Sequence, residues 1–167
     1  MYDPNQQQAV FSKPLSNYSG GICGINQNGR KHLVYSIERE GKLYQIDLHG
    51  DTSMEVYTDK DFEPSRLTNM TDDTILVVNN KPRPNSLSVL CVQSTPYVCK
   101  SIINTQIGSI FDLCFHPPTD TIICTAWDFN ARDDNVYGVD ATTGATRWRI
   151  NNIDGNNIYP HGVCIKP

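Results

Sequence analysis

The chain has 167 residues, 38% apolar and 19% charged, with a formal charge of −4. That is material for one folded domain, and this apolar content with so small a net charge excludes wholesale disorder. The mildly acidic balance lacks the basic stripe that nucleic acid demands, and no apolar run approaches the roughly 20 residues that span a bilayer, so neither a nucleic-acid partner nor a membrane segment is expected.

The first residues, MYDPNQQQ, have neither the basic nor the apolar region of a secretory leader. As it stands this favours the cytoplasm, whereas a leader upstream would favour the extracellular side. Tyr2-Asp3 reads as the end of one strand and Ala9-Val10-Phe11 as another. Short alternating apolar runs then predict strands over 21–26, 32–37, 42–48 and 53–57, since period-2 patterning marks a half-buried strand. Four more follow over 66–70, 74–78, 86–92 and 97–103, and another four over 111–116, 121–127, 135–141 and 146–150. Residues 162–166 read as one further strand. No stretch holds apolar residues at helical spacing over ten positions, so almost no helix is expected.

These runs repeat. Their central residues, Cys23, Thr68, Cys114 and Cys164, stand 45, 46 and 50 positions apart, and a second phase, Asp3, Asp47, Cys91 and Asp140, recurs at 44, 44 and 49. Repeated four-stranded units of about 45 residues make the pattern of a propeller blade. The predicted fold is an all-β β-propeller with about three full blades, 16–59, 60–104 and 105–151, and part-blades at 1–15 and 152–167. Cut mid-blade at each end, it is expected to be part of a longer propeller, or a half-ring whose open ends self-associate. Cys23, Cys114 and Cys164 are expected as small buried side chains in the innermost strands.

The segment Asn135 to Trp148, with Val139-Asp140, Thr143-Gly144 and Trp148, resembles the blade motif of quinoprotein-like propellers. That resemblance implies an Asp-to-Thr-Gly turn between the third and fourth strands and a Trp docked between sheets. Pro160-His161-Gly162 resembles the opening of an NHL repeat, and Phe111 to Pro118, with its Pro117-Pro118 turn, is similar to the start of WD-repeat blades. No Trp-Asp ends a third strand, since Trp127-Asp128 closes a second one, and the first unit carries Glu55 where the Trp would stand. No quinone ligand or adjacent-Cys pair is recognisable, so no cofactor is expected.

Six cysteines contain no Cys-x-x-Cys, so a zinc site of ordinary spacing is not expected. Cys91 and Cys99, and Cys114 and Cys124, flank predicted turns and could face each other across strands; free thiols are the expectation in the absence of a leader. Asn17-Tyr18-Ser19 and Asn69-Met70-Thr71 fit the glycosylation triplet. The histidines His32, His49, His116 and His161 sit in no recognisable catalytic motif, and no catalytic residue is assigned. His161 and Asp112 begin neighbouring innermost strands and would line the channel mouth. The general resemblance to lactonase and strictosidine-synthase-like propellers implies an alternative function there, binding a small ligand or calcium.

Calling the strands of a blade a to d from the axis outward, the b–c and d–a connections share one face of the ring. Two b–c connections are long, 79–85 and 128–134. Loops on a rigid scaffold are where recognition resides. Lys81 and Arg83 form a basic prong between prolines, Trp127, Phe129 and Arg132 are residue types frequent at interface hot spots, and Asp128, Asp133 and Asp134 would suit a basic partner. The expected function is a protein–protein interaction scaffold that recognises a protein partner with this loop face.

Overall fold

Side chains alternate across a pleated strand, so a sheet apolar on both faces must be covered twice. The computed structural model describes residues 19–47, 53–81, 85–128, 133–158 and 160–164, and it solves this problem by stacking sheets side by side. Blade 1 contains β1 (Ser19–Gln27), β2 (Arg30–Ile37), β3 (Lys42–Asp47) and β4 (Ser53–Thr58). Blade 2 contains β5 (Pro64–Thr71), β6 (Thr74–Asn79), β7 (Ser86–Cys91) and β8 (Val98–Asn104). Blade 3 contains β9 (Ser109–His116), β10 (Thr121–Asp128), β11 (Asp133–Asp140) and β12 (Thr146–Ile150). Each is a four-stranded antiparallel sheet in sequence order, and β5 lies against both β1 and β9. These are propeller blades with strands a to d running outward. Helical structure among the described residues is limited to two three-residue 3-10 turns, Glu38–Glu40 and Pro117–Thr119.

Strand β6 shows why the stack holds. All six of its residues are buried. Ile75 and Val77 join Val34, Leu43 and Val56 of blade 1, while Leu76 and Val78 join Leu113, Ile122 and Val139 of blade 3. A hydrogen-bond circuit reinforces the first interface. The Tyr97 hydroxyl donates to Gln45 Oε1 (2.6 Å), Gln45 Nε2 to Gln27 Oε1 (3.0 Å), and Gln27 Nε2 to the Val92 carbonyl (2.6 Å).

The repeat positions coincide in register: Cys23 pairs with Val34, Thr68 with Leu76 and Cys114 with Ile123. Cys23 and Cys114 are half-buried and Cys164 is exposed, so only the first two approach the expected packing role. All six thiols are free. Cys91 stands opposite Val98 and Cys99 opposite Leu90; likewise Cys114 faces Ile123 and Cys124 faces Leu113. A one-residue offset puts the members of each pair on opposite sheet faces, so neither pair can form the cross-strand disulfide that the spacing left open.

In the third blade the Asp140 carboxylate organises the c–d turn. Its Oδ1 accepts from the backbone N–H of Thr142 (3.0 Å) and Thr143 (2.7 Å) and from the Thr143 hydroxyl (2.9 Å). Its Oδ2 takes Arg147 Nη2 at 2.6 Å. Gly144 follows at φ +76°, where an added Cβ would fall 2.2 Å from the Asn104 carbonyl, so only glycine closes this turn. Trp148 lies flat on Gly138, 2.1 Å from where a Cβ would stand. It remains 39% exposed, with Ile150 at 41%.

The Thr143 backbone N–H, then Arg147, hold the Asp140 carboxyl well below the usual carboxylate range. A depressed folded-state pKa adds stability above the unfolded value, and that stability is lost as pH falls through the ordinary carboxylate range near 4 towards the folded value. Asp140→Asn should therefore melt below wild type at pH 7, and the gap should narrow as pH drops from about 5 to about 3. A gap constant over that range in thermal melts would rule out this role of the charge.

After β12 the chain makes a short hairpin, β13 (Asn152–Ile153) with β14 (Asn156–Asn157), around Asp154-Gly155. The described part of the predicted last strand, residues 162–164, has no strand pairing. No helix among the described residues is long and apolar enough to cross a membrane.

Candidate functional site

The b–c and d–a connections do share a face. In blade 2 three asparagines fix the two ends of the connection between β6 and β7. Asn79 Oδ1 accepts the backbone N–H of Glu63 (2.8 Å) and of Lys81 (3.2 Å). Asn80 Nδ2 donates to Glu38 Oε1 in the b–c turn of blade 1 (2.6 Å), tying neighbouring blades at their loops. Past the loop, Asn85 Nδ2 donates to the Gly108 carbonyl ahead of β9 (2.9 Å), and the Thr105 hydroxyl donates to the Asn85 carbonyl (2.9 Å). Lys81 is exposed, and its ammonium lies 3.3 Å from the Glu63 carboxylate. The expected prong is thus half of a surface ion pair; its other half, Arg83, lies outside the described residues.

In blade 3 the sheet runs further than the sequence suggests. Trp127 pairs with Asp134, and Asp128 with Asp133, so these four are strand residues and not part of the connection between β10 and β11. Trp127 is half-buried and stands opposite Ser109 on its other side. Asp134 is only 6% exposed, so its carboxylate sits within the sheet instead of being offered to a basic partner. Beside it the fully buried Asn135 accepts from Arg149 Nε at 2.8 Å, and the Arg149 guanidinium lies 5.8 Å from the Tyr137 ring centre. Phe129 and Arg132 lie outside the described residues.

The axial positions are built on β1, β5 and β9. Two residues before each central small residue stand Gly21, Arg66, Asp112 and Gly162. Arg66 reaches sideways in both directions: Nε donates to the Phe111 carbonyl of β9 (2.5 Å), and Nη1 to the Gly20 carbonyl of β1. Nη1 also contacts the Ser65 carbonyl at 3.2 Å. Further along, Asn69 Nδ2 donates to the Gly24 carbonyl (2.6 Å), so the amide of one glycosylation triplet is engaged between blades. Sequence reasoning missed Arg66. Its signal was its place in the repeat, matching Asp112.

Asp112 and His161 do come near each other through the chain around them. Asp112 Oδ2 accepts the Val163 backbone N–H (2.9 Å) and Oδ1 its neighbour Leu113 N–H (3.0 Å). His161 is exposed, its ring 6.0 Å from that of Phe111. Calcium prefers six to eight oxygens, whereas both Asp112 oxygens already accept backbone donors, and no group of three or more His, Cys, Asp or Glu among the described residues could hold a metal ion. The described residues do not fit a calcium site.

On the opposite face, near the a–b turns, a groove of about 530 Å³ runs between blades 1 and 2 past Asn26, Lys31, His32 and Met70.

No family model matches this chain, and no curated protein matches it. Among solved structures, a chain of the nidogen/laminin complex is similar over 86% of this chain and 51% of its own, with a TM-score of 0.61 and 13% identity. Dihydro-heme d1 dehydrogenase NirN, in complex with DHE, is similar over 82% of this chain and 29% of its own, with a TM-score of 0.53 and 17% identity. The chain therefore spans about half the length of the first and less than a third of the second. Both are β-propellers, and at these identities the likeness shows one thing: this chain has the β-propeller fold.

Proposed function

We propose that this chain is a protein-recognition scaffold that binds a protein partner with its b–c loop face. The observation that carries this reading is the hydrogen-bonded belt at that face. Asn80 joins blade 2 to blade 1, and Asn85 joins it to the approach to blade 3. Flanking residues fixed by such a belt lose little conformational freedom on association, so modest contacts yield useful affinity. Lys81, Arg83, Trp127, Asp128, Phe129, Arg132 and Asp133 are the proposed contact residues, with aromatic and arginine side chains as anchors. Asp134, nearly buried, is left out of this set. The nidogen/laminin neighbour, from a protein complex, is consistent with a protein partner.

The test uses a photo-crosslinking amino acid at position 81 or 129, compared with position 28 in the opposite a–b turn. The expected result is a protein adduct from the loop positions that disappears with Arg83→Ala and Arg132→Ala while the melting temperature holds. Equal adduct yields from position 28, or adducts that survive both substitutions, would remove this face from consideration.

A further inference from the structure

Three contacts align Pro160–Cys164 with β9. The rings of His161 and Phe111 lie 6.0 Å apart, the Val163 N–H donates to Asp112 Oδ2 at 2.9 Å, and that same oxygen lies 3.5 Å from where a Cβ on Gly162 would stand. Residue numbers rise together on both sides, so the two stretches run parallel. The same holds for β5 beside β1, where Arg66 meets Gly20 and Asn69 meets Gly24. Continuing the alignment brings Cys164 beside Cys114, which follows Asp112 by two residues and so shares its sheet face. The two thiols lie within each other's field: burial pushes Cys114 up to about 11, and Cys164 contributes to the rise. Cys124 is buried and faces the other way.

We propose that Cys114 and Cys164 form a reversible disulfide that latches the Pro160–Cys164 stretch onto the innermost strand of blade 3. The oxidant is a peroxide. The exposed Cys164 thiolate attacks one oxygen of hydrogen peroxide, the O–O bond breaks, and Cys164 becomes a sulfenic acid as hydroxide leaves and is protonated to water. The Cys114 sulfur then attacks the Cys164 sulfur. The S–O bond breaks, and the hydroxyl leaves as a second water with the Cys114 proton. Two thiols and one peroxide thus give one disulfide and two waters, and a dithiol reductant reverses the step by exchange. Oxidation closes a loop of 50 positions between the two cysteines, which restricts the unfolded chain and fixes the stretch over Asp112.

The experiment oxidises the 167-residue chain with one equivalent of hydrogen peroxide, blocks the remaining thiols with maleimide, and maps linked peptides by mass spectrometry. Expected are the loss of two free thiols, a single Cys114–Cys164 link within one chain, and a melting temperature about 5–10 °C higher. Dithiothreitol should reverse the link and the shift. Cys164→Ser, an exposed change that leaves folding intact, should abolish both, whereas Cys91→Ser should keep them. A link between any other pair, a disulfide between two chains, a sulfenic acid that persists, or a linked protein that melts no higher would each overturn the latch.

Discussion

Replacing Leu76 by Ala should destabilise the protein by about 2–5 kcal/mol, the range for truncating a large aliphatic side chain that cannot be compensated by collapse. Leu76 is fully buried on the face of β6 that meets blade 3. Its loss opens a cavity between two sheets, each already fixed by its own hydrogen-bond ladder, so neither can close the gap cheaply. The measurement is urea unfolding, where the midpoint should fall with little change in slope. Ile22→Ala provides the contrast: with its side chain 52% exposed, it should stay within about 0.5 kcal/mol of wild type. A Leu76 variant as mild as the Ile22 one would mean that the blade 2–blade 3 contact is not the core it is taken to be.

Arg66→Met should cost about 1.5–3 kcal/mol, the worth of hydrogen bonds made by a charged donor. The methionine keeps an apolar stem but leaves the carbonyls of Gly20, Ser65 and Phe111 without their guanidinium. Arg66→Lys should recover only part of the loss, because an ammonium on a flexible stem cannot hold the two sides of β5 in one planar fork. Chemical denaturation of both variants decides the point. If methionine falls within about 0.5 kcal/mol of wild type, the arginine does not staple the innermost strands.

The blades were legible because their signal is local. The twelve predicted strands each lie within a few residues of an observed one, and β12 matches at both ends. Register could be read too, since a period of about 45 put Cys23, Thr68 and Cys114 at matching places. What escaped were the partnerships across the sequence. Arg66 meets Phe111, and Asn80 meets Glu38, at separations of 45 and 42 positions, and nothing in a local pattern says where an arginine will reach. The b–c loop of blade 3 read as too long because Asp128 and Asp133, residues of low strand propensity, pair at the end of a ladder that Trp127 extends. The hairpin at Asn152–Asn157 was hidden for the same reason: asparagines flank its turn. The free thiols expected are found, but the facing that symmetry left open was not legible, since equal spacing about a turn says nothing about an offset of one residue, which decides the face.

A strand with no wet side has a consequence for biosynthesis. When translation has delivered the chain as far as Asn104, Leu76, Val78, Leu87 and Val89 have nothing to cover them. The blade that supplies their cover is complete at Ile150, 46 positions later, which at about 5–20 residues per second is roughly 2–9 s before the nascent sheet has a finished neighbour. During that interval the middle blade is a sticky surface, and its safe maturation depends on how quickly the next one emerges or on a chaperone that shields it meanwhile.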